Sequence, residues 1–144
     1  NSRLDELHAA VLSQALLPHL DAWTRRRREV AARYGNGLCS PALELPSEPP
    51  GSRSVWHLYP VLVRRGTRDA FVRHLRERGV SAGMHYPRLI PDQRALEGRR
   101  FEVAGELSRA RRFAECEVSL PIHPFLTGSE VERVIEACNG WEGS

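Results

Sequence analysis

Apolar residues recur at spacings of three and four from residue 4 to residue 34: Leu4, Leu7, Val11, Leu12, Ala15 and Leu16, then Leu20, Trp23, Val30, Ala31 and Tyr34. That period predicts amphipathic helix on both sides of Pro18, which lacks the amide that a helix interior needs and whose ring crowds the preceding turn. Two leading helices meeting near Pro18 are therefore expected. Ser2-Arg3-Leu4-Asp5 fits a capping box for the first, and Gly35-Asn36-Gly37 supplies residues that tolerate the left-handed end of the second.

The pattern then changes. Ser40 to Ser54 holds Pro41, Pro46, Pro49, Pro50 and Gly51 and reads as a surface loop. Val55 to Val63 is rich in β-formers, with Pro60 pointing to an edge strand or a bulge. Thr67 caps a helix through Phe71, Leu75 and Arg78, closed by Gly79, and Val80 to Tyr86 reads as a second short strand, giving a strand-helix-strand unit. Residues 87–100 are irregular, Gly105 to Glu115 reads as helix and Val118 to Leu120 as strand, and Pro121 and Pro124 make a rigid turn. Thr127-Gly128-Ser129-Glu130 is a second capping box, opening a last helix with Val131, Val134, Ile135 and Cys138 on one face. The expected class is α+β, and 144 residues are enough to bury a core without a disulfide or a metal.

Composition removes several chemistries. All 21 residues of the Lys+Arg total are arginine. The chain therefore has no side-chain amine for a Schiff base, no phosphate-loop lysine and no lysine general base. A net charge of +3 is mild, and the basic run Arg25 to Arg28, flanked by Trp23 and Val30, reads as a solvated helix face rather than a nucleic-acid patch. Cys39, Cys116 and Cys138 are widely spaced with no Cys-x-x-Cys pair, as in a reducing cytoplasm. No apolar stretch approaches a membrane span, and an opening at Asn1 rather than Met leads to the expectation of a piece of a longer protein. The six histidines include no i,i+4 pair, so no metal site is expected. Neither a Gly-x-Ser-x-Gly elbow nor a full dinucleotide loop is present. Three clusters remain: Asn1-Ser2-Arg3 at a helix N-terminus suited to an anion, Gly83-Met84-His85-Tyr86-Pro87 at a strand end, and the turn Ser119-Leu120-Pro121-Ile122-His123-Pro124.

Taken together and in order, residues 1–12, Leu17-Pro18-His19-Leu20-Asp21, the stretch Arg26 to Tyr34, Trp56-His57-Leu58-Tyr59, Arg78-Gly79-Val80-Ser81-Ala82-Gly83-Met84-His85-Tyr86-Pro87 and Ser119 to Thr127 resemble the carboxy-terminal region of the DegT/DnrJ/EryC1/StrS family of pyridoxal-phosphate-dependent sugar aminotransferases. The resemblance implies the small carboxy-terminal domain of the type I aminotransferase fold. Residues 1–38 would be leading helices packing on a large domain and a dimer partner, and residues 39–144 a small α/β domain with a mixed or antiparallel sheet and flanking helices. The implied parent is a cytoplasmic homodimer that transfers an amino group from glutamate to a nucleotide-linked keto-sugar, with no nucleic-acid or membrane partner. The family's catalytic lysine lies in the large domain, so no catalytic residue is expected here and the piece alone should be inactive. By the same resemblance Asn1 would reach the cofactor phosphate, while Arg3, His85 and Tyr86 would approach the substrate. His57 and His123 are given structural roles. The alternatives are a stand-alone interaction or regulatory module, or a parent that is a pyridoxal-phosphate-dependent sugar dehydratase.

Overall fold

The first regular element, α1 (Glu6–Val11), is capped by Asp5, whose side chain accepts the His8 amide hydrogen at 2.9 Å. The computed structural model describes residues 3–143, so the capping role expected of Ser2 lies outside the described residues. Beyond Val11 the coil widens to a π turn over Leu12–Leu16, tightens to a 3-10 turn over Leu17–His19 and resumes as α2 (Leu20–Gly37). The proline thus interrupts the regular ladder where it must, and the change of pitch around it absorbs the missing bond. The end of α2 differs from the sequence expectation. The helix runs through Gly35, Asn36 and Gly37 and is closed by the extended Leu38, not by a left-handed glycine. Gly37 provides room instead, since a Cβ there would lie 2.8 Å from Ile135 Cδ1.

Three antiparallel strands form the sheet in the order β1-β2-β3, with β1 (Leu43–Glu44), β2 (Tyr59–Val63) and β3 (Glu117–Leu120). β1 lies inside the expected proline-rich loop. It was hidden from sequence reasoning because a two-residue strand has too little alternation to detect. β2 starts four residues later than expected, because Trp56 turns the chain at φ 49°, a left-handed conformation that a bulky residue adopts only under constraint. Pro60 belongs to the central strand, yet β1 pairs only with Val63 and Leu62. Opposite Pro60 stands Ser119, whose own N–H and C=O are bonded to Gly83 on the far side of β3, so no ladder bond is asked of the proline nitrogen.

Alternation along β2 buries Tyr59, Val61 and Val63, which share a face with Leu120 and Val118 of β3. Against that face pack Phe71 and Leu75 of α3 (Arg68–Glu77) and Val131, Val134 and Cys138 of α5 (Gly128–Asn139), with Val30 and Tyr34 from the later half of α2. Both expected caps are present. The Thr67 side chain accepts from Ala70, and Thr127 with Glu130 closes the reciprocal capping box. α4 (Ser108–Cys116) runs directly into β3. The core therefore draws on residues from both sides of Leu38, while α1 and the two turns after it bury nothing. Among the described residues no helix is long and apolar enough to cross a membrane.

The expected second strand over Val80 to Tyr86 is not formed. Only Gly83 bridges to β3, exchanging two backbone bonds with Ser119 at 3.0 and 2.9 Å. The next hydrogen-bonded rung of an antiparallel ladder would join His85 to the Glu117 carbonyl. The Glu117 side chain takes that amide instead, at 2.6 Å, and the ladder ends after one rung.

Candidate functional site

The loop after that rung carries the two described residues whose sequence most suggested a site. His85 is half-buried and Tyr86 is 73% exposed, their rings meeting edge to face at 5.5 Å. Beneath them lie Glu117 and Ser119, which project from the same side of β3 because side chains alternate along a strand. Both are buried, at 1% and 4% exposure. The Glu117 carboxylate accepts the His85 backbone N–H on Oε2 and the Ser119 hydroxyl on Oε1, at 2.6 and 2.5 Å. Ser119 Oγ in turn lies 3.0 Å from His85 Nδ1. One buried carboxylate thus holds the loop at both its backbone and, through a hydroxyl, its ring.

Space at Gly83 is part of this arrangement, since a Cβ there would stand 2.8 Å from His85 Cε1. Burying a carboxylate is costly unless hydrogen bonds or a cation compensate. Among the described residues no cation pairs with Glu117, so these hydrogen bonds carry the compensation. The sequence reading assigns Glu117 no role, and it places Ser119 in the strand Val118 to Leu120 and at the head of the Ser119–Pro124 turn cluster without linking it to His85. The available signal was two polar residues at alternate positions of an otherwise apolar strand.

The other candidates lie elsewhere. Asn1 is outside the described residues. Arg3 is exposed ahead of α1. His57 is exposed, and with Leu20, Asp21, Thr24, Arg27, Arg28 and Val55 it borders a cleft of about 600 Å³. His123 is likewise exposed, its ring 6.4 Å from that of Phe125. His74, which the sequence did not single out, has a packing role: its Nε2 donates to the Ala137 carbonyl at 2.8 Å and its ring packs on Trp141. The arginine run is divided among tasks. Arg26 reaches the Leu126 carbonyl and Glu29, and Arg28 donates to the Ser54 carbonyl, so these two fasten α2 to distant segments. No group of three or more potential metal ligands is found among the described residues.

The sequence and fold of this α+β chain have known counterparts. The profile of the DegT/DnrJ/EryC1/StrS aminotransferase family matches residues 1–139, and the chain belongs to that family. A dTDP-3-amino-3,4,6-trideoxy-alpha-D-glucose transaminase of Streptomyces venezuelae is 42% identical over 98% of the chain, and a dTDP-3-amino-3,6-dideoxy-alpha-D-galactopyranose transaminase of Aneurinibacillus thermoaerophilus is 40% identical over 96%. The chain spans only 36% and 37% of the length of those relatives. The crystal structure of S. venezuelae DesV in complex with a ketimine intermediate superposes over 100% of the chain and 38% of its own, with a TM-score of 0.89 at 41% identity. The fold is the small domain of the pyridoxal-phosphate aminotransferase architecture.

Proposed function

We propose that this chain is the leading segment and small domain of an enzyme that moves an amino group from glutamate to a nucleotide-linked keto-sugar, acting as a cytoplasmic homodimer with pyridoxal phosphate. The observation that carries the reading is the match to sugar transaminases along essentially the whole chain, in sequence and in fold together. A structural feature supports it. Leu4, Leu7, Val11, Leu17 and Leu20 are each about half exposed or more, an apolar surface that in this reading packs on the large domain and the partner subunit.

The residues present fit the cofactor only at its margin. When bound, pyridoxal phosphate would supply an electron sink for the carbon that loses its proton, and its anchoring calls for a side-chain amine. This chain has no lysine to offer one. Asn1 is assigned to the cofactor phosphate through its neutral amide, while Arg3, His85 and Tyr86 are assigned to the substrate. An arginine fork suits a diphosphate or a carboxylate, and the imidazole and phenol suit a sugar.

The whole protein, given pyridoxal phosphate, glutamate and a nucleotide-linked keto-sugar, should form 2-oxoglutarate, and the 144-residue chain alone should form none. Turnover by the isolated chain, or none by the whole protein with any such sugar, would defeat the proposal. The lysine-free composition also favours a second reading, a stand-alone non-catalytic module. Intact mass of the native protein separates the two.

A further inference from the structure

We infer that Glu117 is the positioning residue for His85, fixing the ring through Ser119 in the tautomer that carries its proton on Nδ1 and turns an Nε2 lone pair outward, to accept a hydrogen bond from a sugar hydroxyl. The inference rests on the reading that the His85–Tyr86 loop faces substrate.

An ionised carboxylate only accepts. The single Ser119 hydroxyl hydrogen is committed to Glu117 Oε1 at 2.5 Å. Ser119 Oγ then has only lone pairs to turn toward His85, so the Nδ1 atom 3.0 Å away must be the donor. A neutral imidazole with hydrogen on Nδ1 has none on Nε2. Among the described residues nothing bonds Nε2. The backbone is fixed by the same carboxylate, whose second oxygen takes the His85 N–H at 2.6 Å. A lone pair presented in this way matches a hydroxyl donor and repels the oxygens of a diphosphate. His85 therefore reads the sugar, leaving the phosphates to cationic groups elsewhere.

The test is Glu117→Gln in the full chain, with 15N-labelled histidine followed by NMR at a pH where the ring is neutral. A glutamine can still accept the His85 N–H, but its other arm donates to Ser119 Oγ. The hydroxyl hydrogen, no longer held by a carboxylate oxygen, turns to Nδ1, and the ring proton moves to Nε2. The expected result is Nδ1–H in the native chain and Nε2–H in the variant. Nε2–H in the native chain, or a folded variant with its tautomer unchanged, would overturn the inference. Should Glu117→Gln not fold, Ser119→Ala keeps the carboxylate on the His85 amide and removes only the relay. It should give mixed tautomers, and a pure Nδ1–H form would overturn the inference equally.

In the whole enzyme Glu117→Gln should raise KM for the nucleotide-sugar about tenfold, the usual size of one lost hydrogen bond, with KM for glutamate unchanged. An equal rise for both substrates would argue against sugar recognition by His85. The NMR result does not depend on turnover. The assigned tautomer in a protein that transfers no amino group would defeat the functional reading alone, and the opposite tautomer in an active enzyme would defeat this inference alone.

Discussion

Replacing Tyr34 with phenylalanine separates one buried hydrogen bond from the packing around it. The Tyr34 hydroxyl donates to the Pro121 carbonyl at 2.7 Å, tying α2 to the turn that follows β3, and the ring is fully buried, edge-on to Tyr59 at 5.1 Å. Tyr34→Phe keeps the ring and opens no sizeable cavity. It removes a bond worth about 1 kcal/mol net and leaves a partly buried carbonyl short of a donor, so the expected loss near neutral pH is about 2 kcal/mol. That should lower Tm by roughly 5 °C for a chain of this size. Alkaline pH gives the decisive comparison. Burial pushes the Tyr34 phenol well above its ordinary value of 10.0, so the native state keeps it neutral while the unfolded chain ionises it. The stability this residue contributes is therefore complete below about pH 10 and is lost as pH rises toward the folded value. At about pH 10.5, ionisation of the unfolded tyrosine favours unfolding by about 0.8 kcal/mol, and phenylalanine has no such term. The penalty of Tyr34→Phe should accordingly shrink from about 2 to about 1 kcal/mol in urea titrations at the two pH values. A penalty below about 0.5 kcal/mol at neutral pH, or one independent of pH, would refute the reasoning.

Burial also pushes the Cys138 thiol from 9.0 to about 12 and the Tyr59 phenol from 10.0 to about 12. Stability from keeping both neutral is complete below about pH 9 and is lost as pH climbs toward 12, so the urea midpoint of the native chain should fall throughout that window, and a flat profile would contradict it. Gly37→Ala meets Ile135 Cδ1 at 2.8 Å. Overpacking of about 2 kcal/mol should exceed the roughly 1 kcal/mol gained in helix propensity, and in an Ile135→Val background, which removes Cδ1 but keeps Cγ2 at 3.2 Å, thermal unfolding should show a smaller loss. Leu7 is 74% exposed and Leu17 51%. The chain should therefore self-associate in sedimentation velocity, and Leu7→Ser with Leu17→Ser should shift it toward monomer without loss of helix signal.

What was legible in the sequence follows the length scale of each signal. The helix over Leu20–Gly37 and the last helix announce themselves because their apolar positions repeat several times, and the Thr67 and Thr127 caps because a hydroxyl three residues before its partner is a local chemical pattern. The short elements are set by tertiary partners. β1 exists because Leu43 and Glu44 lie beside Val63 and Leu62, residues 20 and 18 positions away. The glycines in the last turn of α2 have the composition of a left-handed cap, yet the room that Gly37 provides is for a methyl group of α5 that nothing nearby in the chain specifies.

His85 and Tyr86 stood out as an imidazole and a phenol before a proline, but the residues that hold them lie more than thirty positions away. Val80 to Tyr86 has the composition of a strand. A second full rung with β3 would have used the His85 amide in the ladder and left Glu117 with a buried carboxylate bonded only to Ser119. By giving up that rung, the chain gains a partner for the carboxylate and releases the loop from the pleat, so that His85 leans on Ser119 while Tyr86 reaches solvent. The failed strand expectation and the candidate site therefore have one cause. A carboxylate stands where a strand in a core ordinarily carries an apolar side chain, and it satisfies itself at the expense of the sheet.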